Sequence, residues 1–267
     1  METLLAAAIQ LTSGPDRAAN LEAAFALVDR AVDRGAAFVA LPENVDFMGP
    51  EAEKVALAED LDGPTFAAFA AKAREKGVWL LAGTIPERAG GGKVHNTSVL
   101  YDPAGRRAAV YRKIHLFDVD LPDGATYRES ATVQPGAAPV VAQAGWARVG
   151  LSVCYDLRFP ELYRALAAQG AEVLTVPSAF TLHTGKDHWE VLLRARAIEN
   201  TCWVVAPAQV GRHSATRVTY GNAMIVDPWG TVVARCSDGP GLCVAELSAA
   251  VLEQVRAQIP CLRHRRL

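Results

Sequence analysis

The chain has 267 residues, of which 51% are hydrophobic, 21% charged and 7% aromatic, a globular composition with enough apolar side chains for a substantial core. That apolar content excludes an intrinsically disordered chain, and the 21 Gly and 15 Pro, scattered along its length, exclude a collagen-like or low-complexity one. The 27 basic and 29 acidic side chains leave a formal charge of −2, which provides no electrostatic footprint for nucleic acid or an anionic membrane.

Residues 1–11 (METLLAAAIQL) are apolar, but Glu2 and not a basic residue precedes the apolar run, and the run is too short to cross a bilayer. They predict a buried strand, and the chain reads as soluble and cytoplasmic. Residues 16–34 repeat apolar positions at helical spacing (Leu21, Phe25, Val28, Val32) and stop at Gly35. A short buried strand at 38–41 ends in Pro42-Glu43. Residues 64–76 predict a helix with Gly77 just past its end. Strands follow at 78–84, 97–101 and 107–111, separated by turn signals such as Gly90-Gly91-Gly92.

Residues 116–138 carry Pro122, Gly124, Pro135 and Gly136 and predict a long irregular loop, a segment type that is more often functional than accidental. Beyond it the pattern predicts strand 148–153, helix 160–169, strand 173–176 and helix 189–200. Strands at 203–208, 219–226, 232–235 and 242–246 precede a last helix at 251–258 and a basic tail. No linker, charge run or short repeat divides the chain, so residues 1–267 are expected to form a single domain. Strands that arrive both through helices and in hairpin order point to mixed sheets, for which a helix–sheet–sheet–helix sandwich is one solution.

The five cysteines (Cys154, Cys202, Cys236, Cys243, Cys261) form an odd set without a Cys-x-x-Cys pair, as expected of buried thiols in a reducing compartment. Cys154 differs from the rest. It ends the apolar run Val149-Gly150-Leu151-Ser152-Val153, after which the sequence turns polar and Pro160 suits a first helical turn. A thiol on such a corner is projected outward, with backbone N–H groups following it; the alternative is a core cysteine. Lys113 is one of only six lysines (54, 72, 76, 93, 113 and 186) in an arginine-rich chain, and it sits at a strand end just before the irregular loop. A compact ammonium there would stabilise an oxyanion and favour a neighbouring thiolate, unless it merely reaches water. Glu43 emerges from its strand at the end where α/β sheets assemble sites. Apolar walls around it would raise its pKa toward that of a general base; otherwise it simply starts a helix.

The segments Leu41-Pro42-Glu43, Tyr111-Arg112-Lys113-Ile114-His115-Leu116 and Cys154-Tyr155-Asp156-Leu157-Arg158-Phe159-Pro160-Glu161 resemble, in order and spacing, the three signature segments of the nitrilase superfamily of carbon–nitrogen hydrolases. The resemblance covers nearly the whole chain and extends to residues 188–200 and Asp227-Pro228-Trp229-Gly230. Residues 220–237, Pro177-Ser178-Ala179-Phe180 and Gly211-Arg212-His213 are more similar to the deaminated glutathione amidase branch than to the ω-amidases. One departure is Gly185-Lys186-Asp187-His188, where relatives carry Gly-Pro-Ala-His, and it bears on the pocket rim.

The resemblance implies a four-layer α-β-β-α sandwich that pairs into a homodimer and needs neither cofactor nor metal. It implies Cys154 as nucleophile, Glu43 as general base, Lys113 with the Tyr155 N–H as oxyanion stabilisers, and Glu129 as a second, positioning glutamate. The implied reaction is hydrolysis of a small linear amide through a cysteine thioester, releasing ammonia from a terminal amide. The branch points to deaminated glutathione, giving 2-oxoglutarate and cysteinylglycine; 2-oxoglutaramate, N-carbamoyl amino acids and nitriles are the alternatives. Such a substrate carries carboxylates, for which Arg158 is the first anchor by its bidentate fork. Arg128, Arg212, Arg217 and His213 are further candidates. A metal-dependent amidohydrolase is a rival class, but His183 and His188 read as lying on a loop entering a helix and no HExxH motif supports it. Glu43, Lys113 and Cys154 standing intact argue against a non-catalytic binding scaffold.

Overall fold

The computed structural model describes residues 1–120, 124 and 126–266. The chain runs β1 (Leu4–Leu11), α1 (Arg17–Asp33), β2 (Phe38–Ala40), α2 (Glu51–Ala56), α3 (Pro64–Lys76), β3 (Trp79–Leu81), β4 (Ile85–Arg88), β5 (Val94–Tyr101) and β6 (Arg107–Arg112). A hairpin of β7 (Asp118–Asp120) and β8 (Thr126–Arg128) leads into a 3-10 turn at Glu129–Ala131. Next come β9 (Val140–Gln143), β10 (Arg148–Leu151), a 3-10 turn at Cys154–Arg158, α4 (Pro160–Ala168), β11 (Val173–Thr175) and α5 (Leu182–Asn200). The chain closes with β12 (Trp203–Ala206), β13 (Ala208–Arg212), β14 (Val218–Tyr220), β15 (Met224–Val226), β16 (Val232–Arg235), β17 (Gly241–Leu247), α6 (Ala249–Gln258) and α7 (Cys261–His264).

Two mixed sheets result. One follows the order β14-β13-β1-β2-β3-β5-β4, with β17 also on β1 and β6 also on β5; the other follows β16-β15-β12-β11-β10-β9. Parallel pairings join β1, β2 and β3 in the first and β10, β11 and β12 in the second. Alternation along β1 sorts the layers. Ala6 and Ala8 belong to the core shared with the second sheet and with α4 and α5. Ala7, Ile9 and Leu11 pack instead with Leu27 and Val28 of α1 and Phe66 and Phe69 of α3. This is the expected helix–sheet–sheet–helix sandwich. Among the described residues no helix is long and apolar enough to cross a membrane.

Local signals explain the helix ends. Asp16 caps α1 by accepting from the Ala19 N–H at 3.1 Å, and Pro64 and Pro160 open α3 and α4 where a missing N–H costs nothing. The sequence reading has no element at α2, β4, β9 or α7, and four of its own readings differ from the structure. The stretch 116–138 is not wholly irregular, because it holds the β7–β8 hairpin and the Glu129 turn; Pro122 lies outside the described residues. Helix α5 begins at Leu182, capped by Thr181, so His183 and His188 lie on the helix and not on a loop. The single strand expected at 203–208 is two strands in different sheets, divided at Pro207. The one expected at 219–226 is likewise two, divided by Gly221 (φ 71°) and Asn222 (φ 61°). A Cβ on Gly221 would stand 2.5 Å from Val210 Cγ2, so glycine is required where the chain crosses between sheets.

Candidate active site

The site forms at the carboxyl ends of β2, β10 and β11, with β6 closing one side. Leu41 follows β2 and donates to the Leu81 carbonyl at 3.0 Å, which brings Pro42-Glu43 against Gly83. A Cβ on Gly83 would meet the Pro42 carbonyl oxygen at 2.0 Å. The Gln209 amide then donates to the Glu43 carbonyl at 2.9 Å, and Asn44 (φ 56°) donates its N–H to Thr84 Oγ1 at 2.8 Å. Glu43 is thereby fixed from three sides at 3% exposure.

Cys154 stands on a strained corner, φ 49°, between β10 and its 3-10 turn, with its N–H on the Pro177 carbonyl at 2.9 Å. Buried Asp156 braces that corner. It accepts from the Val153 N–H (2.8 Å), the Tyr111 hydroxyl (2.7 Å) and the His115 N–H (3.0 Å), so the ends of β6 and β10 share one carboxylate. Tyr155 precedes the first bond of the turn, from the Asp156 N–H to the Val153 carbonyl, so its own N–H comes before any intrahelical pairing.

Lys113, 2% exposed, donates to Glu43 Oε1 at 3.0 Å and to Glu129 Oε1 and Oε2 at 3.0 and 2.8 Å. Asn96 Nδ2 bridges the same two carboxylates at 2.9 and 3.3 Å. The Ala179 N–H donates to Glu43 Oε2 at 3.0 Å, and Cys154 lines the same cavity as Glu43. Glu129 also accepts from the Phe117 N–H at 2.7 Å, which pins the loop to the site. The structure thus brings Glu43, Lys113, Cys154 and Glu129 together. Asn96, Asp156, Gln209 and the Ala179 amide had no signal of their own in the sequence.

Burial alone would raise the Glu43 pKa, as the sequence reading expected. The Lys113 charge, the neighbouring Cys154 thiol and the Lys113 hydrogen bond outweigh burial and hold the carboxyl below its ordinary value. Cys154 moves the other way: burial, then the Glu43 charge, push the thiol well above its ordinary value, and Lys113 offsets this only in part. For Lys113, burial disfavours the charge but Glu129 and Glu43 more than restore it, so its pKa is raised. The resting site is therefore a carboxylate, an ammonium and a neutral thiol, as a general base that takes the thiol proton requires.

Above this floor opens a cavity of about 800 Å³, counted with the solvent space at its mouth. It contains Tyr155, Phe117, Tyr127, Phe180 and the cations Lys54, Arg128, Arg158 and Arg217. Arg158 lies over the rings of Tyr155 (5.8 Å) and Phe180 (5.3 Å) and meets His188 Nδ1 at 3.2 Å. Arg217 lies 6.0 Å over Tyr127. Among the described residues neither arginine has a carboxylate within ion-pair distance. Arg128 is tied to Asp120 at 2.8 Å. Arg212 bonds to the Ala215 carbonyl and His213 to the Ser13 carbonyl, and neither lines the cavity. The departure at Lys186-Asp187 is an exposed ion pair of 2.5 Å on α5. Among the described residues no group of three His, Cys, Asp or Glu side chains could hold a metal ion.

Residues 5–257 match the carbon-nitrogen hydrolase family. A deaminated glutathione amidase from Synechocystis is 51% identical over 269 residues, covering 99% of both chains. The mouse deaminated glutathione amidase is 48% identical over 273 residues, covering 99% of this chain and 84% of its own. Among solved structures, the C. elegans NitFhit protein superposes with a TM-score of 0.94 at 39% identity, covering all of this chain and 66% of its own. With this agreement in sequence and fold, the chain belongs to the carbon-nitrogen hydrolase family.

Proposed function

We propose that this hydrolase cleaves deaminated glutathione through a thioester on Cys154. One observation carries the reading: a buried thiol and a buried carboxylate line one cavity, a buried ammonium holds that carboxylate at 3.0 Å, and Arg158 and Arg217 of the same cavity have no carboxylate partner among the described residues. The thiol sulfur adds to the amide carbonyl carbon as Glu43 takes its proton. The oxyanion is stabilised by Lys113 and the Tyr155 N–H. Collapse breaks the C–N bond, and Glu43 returns the proton to the departing amine. Glu43 then takes a proton from water as its oxygen attacks the thioester, and the thiol is re-formed on release of the acid. Glu129 positions Lys113 through hydrogen bonds of 3.0 and 2.8 Å.

On this substrate the departing amine is that of cysteinylglycine, so the products are 2-oxoglutarate and the dipeptide; ammonia appears only from a primary amide such as 2-oxoglutaramate. The names of the Synechocystis and mouse relatives support the peptide-like substrate. Arg158 is the proposed anchor for one of its carboxylates, because among the described residues no carboxylate neutralises it. The same reading takes the chain as one hydrolase domain in a reducing cytoplasm, consistent with five free cysteines. Pairing of two copies is supported by Val191 and Ile198 of α5 and by Trp229, which are 66%, 50% and 54% exposed.

The test is product formation from deaminated glutathione and 2-oxoglutaramate, side by side, for the wild type and Cys154→Ala. Preference for the peptide-like substrate, with a loss on the order of 10⁶ in the variant, is the expected result. Turnover surviving in Cys154→Ala overturns the nucleophile, and preference for 2-oxoglutaramate moves the substrate.

A further inference from the structure

The cavity holds one more cation with no assigned task. Lys54 projects from α2 into the cavity wall and is 6% exposed. Among the described residues no carboxylate lies within ion-pair distance of its Nζ and no acceptor hydrogen-bonds to it. Its charge is nonetheless felt by two acids, Glu43 and Asp46. Neither is within ion-pair distance of Lys54: Glu43 is held by Lys113, Asn96 and the Ala179 N–H, and Asp46 pairs through one oxygen with Arg17 at 2.9 Å, its carboxylate having no hydrogen-bond partner among the described residues. A buried ammonium without a counter-ion is costly, and a protein that keeps one in a cavity wall supplies half of an ion pair.

Depth decides which half of the substrate completes that pair. Arg158 and Arg217 are only half-buried, where a leaving amine must pass. Lys54 is buried in the wall of the cavity that Glu43 also lines. The acyl half has to stay bound through the thioester while the amine half departs, so an enclosed anchor suits the acyl half and a rim anchor suits the amine half. We propose that Lys54 binds a carboxylate on the acyl half, making the site selective for monoamides of linear dicarboxylic acids. This rests on the amidase reading above and adds the residue that selects the acyl chain.

The test compares glutaramate, whose acyl chain ends in a carboxylate, with pentanamide, which ends in a methyl. The wild type is expected to favour glutaramate in kcat/KM, and Lys54→Met to lower that preference about 10- to 100-fold, the range of one charge-assisted hydrogen bond. Lys54→Arg should keep part of the preference. A wild type without preference overturns the proposal. So does a Lys54→Met variant in which both amides lose equally, since that is the mark of a lysine acting through Glu43. Calorimetric binding of glutarate to Cys154→Ala and to Cys154→Ala with Lys54→Met separates the two readings. Binding weakened tenfold or more by the second change supports Lys54 even if no amide is turned over, and equal binding overturns it.

Discussion

The floor and the wall of the cavity treat charge in opposite ways. On the floor, Lys113 is hydrogen-bonded to two carboxylates, and Asn96 joins those same carboxylates. On the wall, Lys54, Arg158 and Arg217 face the cavity with no carboxylate partner among the described residues. Buried charges that satisfy one another hold a fixed geometry, which suits groups that must meet a reacting carbonyl the same way each time. Charges left unpaired are free to be neutralised by what binds. Position is therefore built into the floor and selectivity into the wall.

Substitutions should separate the two. Lys113→Met removes the common partner of Glu43 and Glu129 and leaves two carboxylates buried together. Turnover should fall roughly 10²–10³-fold, from loss of an oxyanion donor. Urea unfolding should show a loss of about 3–5 kcal/mol, as expected when one member of a buried ion group is removed. Unchanged stability would mean that the floor is not held together by its charges. Arg158→Met should instead raise KM about tenfold with little change in stability. Arg128→Met should do less, because Asp120 already occupies that guanidinium. Equal effects at Arg128 and Arg158 would erase the distinction between paired and unpaired cations.

The smallest effect lies in pH. Glu43 must be ionised to accept the thiol proton, and its pKa is held below the ordinary carboxylate value of 4.5. Falling pH should therefore cut kcat/KM only below about that value. Cys154 is raised well above 9.0, so the wild type should show no thiolate absorbance at neutral pH. An acid limb above 5, or a neutral-pH thiolate, would reverse the assignment of the proton.

Much of this floor was legible in the sequence because its parts end strands. The runs before Glu43 and Cys154 are apolar and stop abruptly, and Lys113 is a lysine where the chain otherwise spends arginine. Their mutual arrangement was not legible. Glu129 entered only through resemblance, since a carboxylate on a loop carries no periodicity. The Ala179 contribution is a backbone N–H, which no side-chain pattern reveals, and Asn96 reads as an ordinary strand residue. The direction of the Glu43 pKa is not legible, because burial shows in the pattern and the offsetting ammonium, 70 residues away along the chain, does not. Residues 203–208 read as one strand because hydrophobicity continues unbroken through Pro207 while the backbone changes sheet.

The two crossings at Pro207 and at Gly221-Asn222 carry a consequence for how the molecule comes apart. Each joins strands of opposite sheets through three residues or fewer, so fraying of one sheet pulls directly on the other. Glu43 follows a strand of the first sheet and Cys154 a strand of the second, and both line one cavity. Short crossings of this kind tie opening of one sheet beside the site to opening of the other, so amide exchange around Glu43 and around Cys154 should share one protection level.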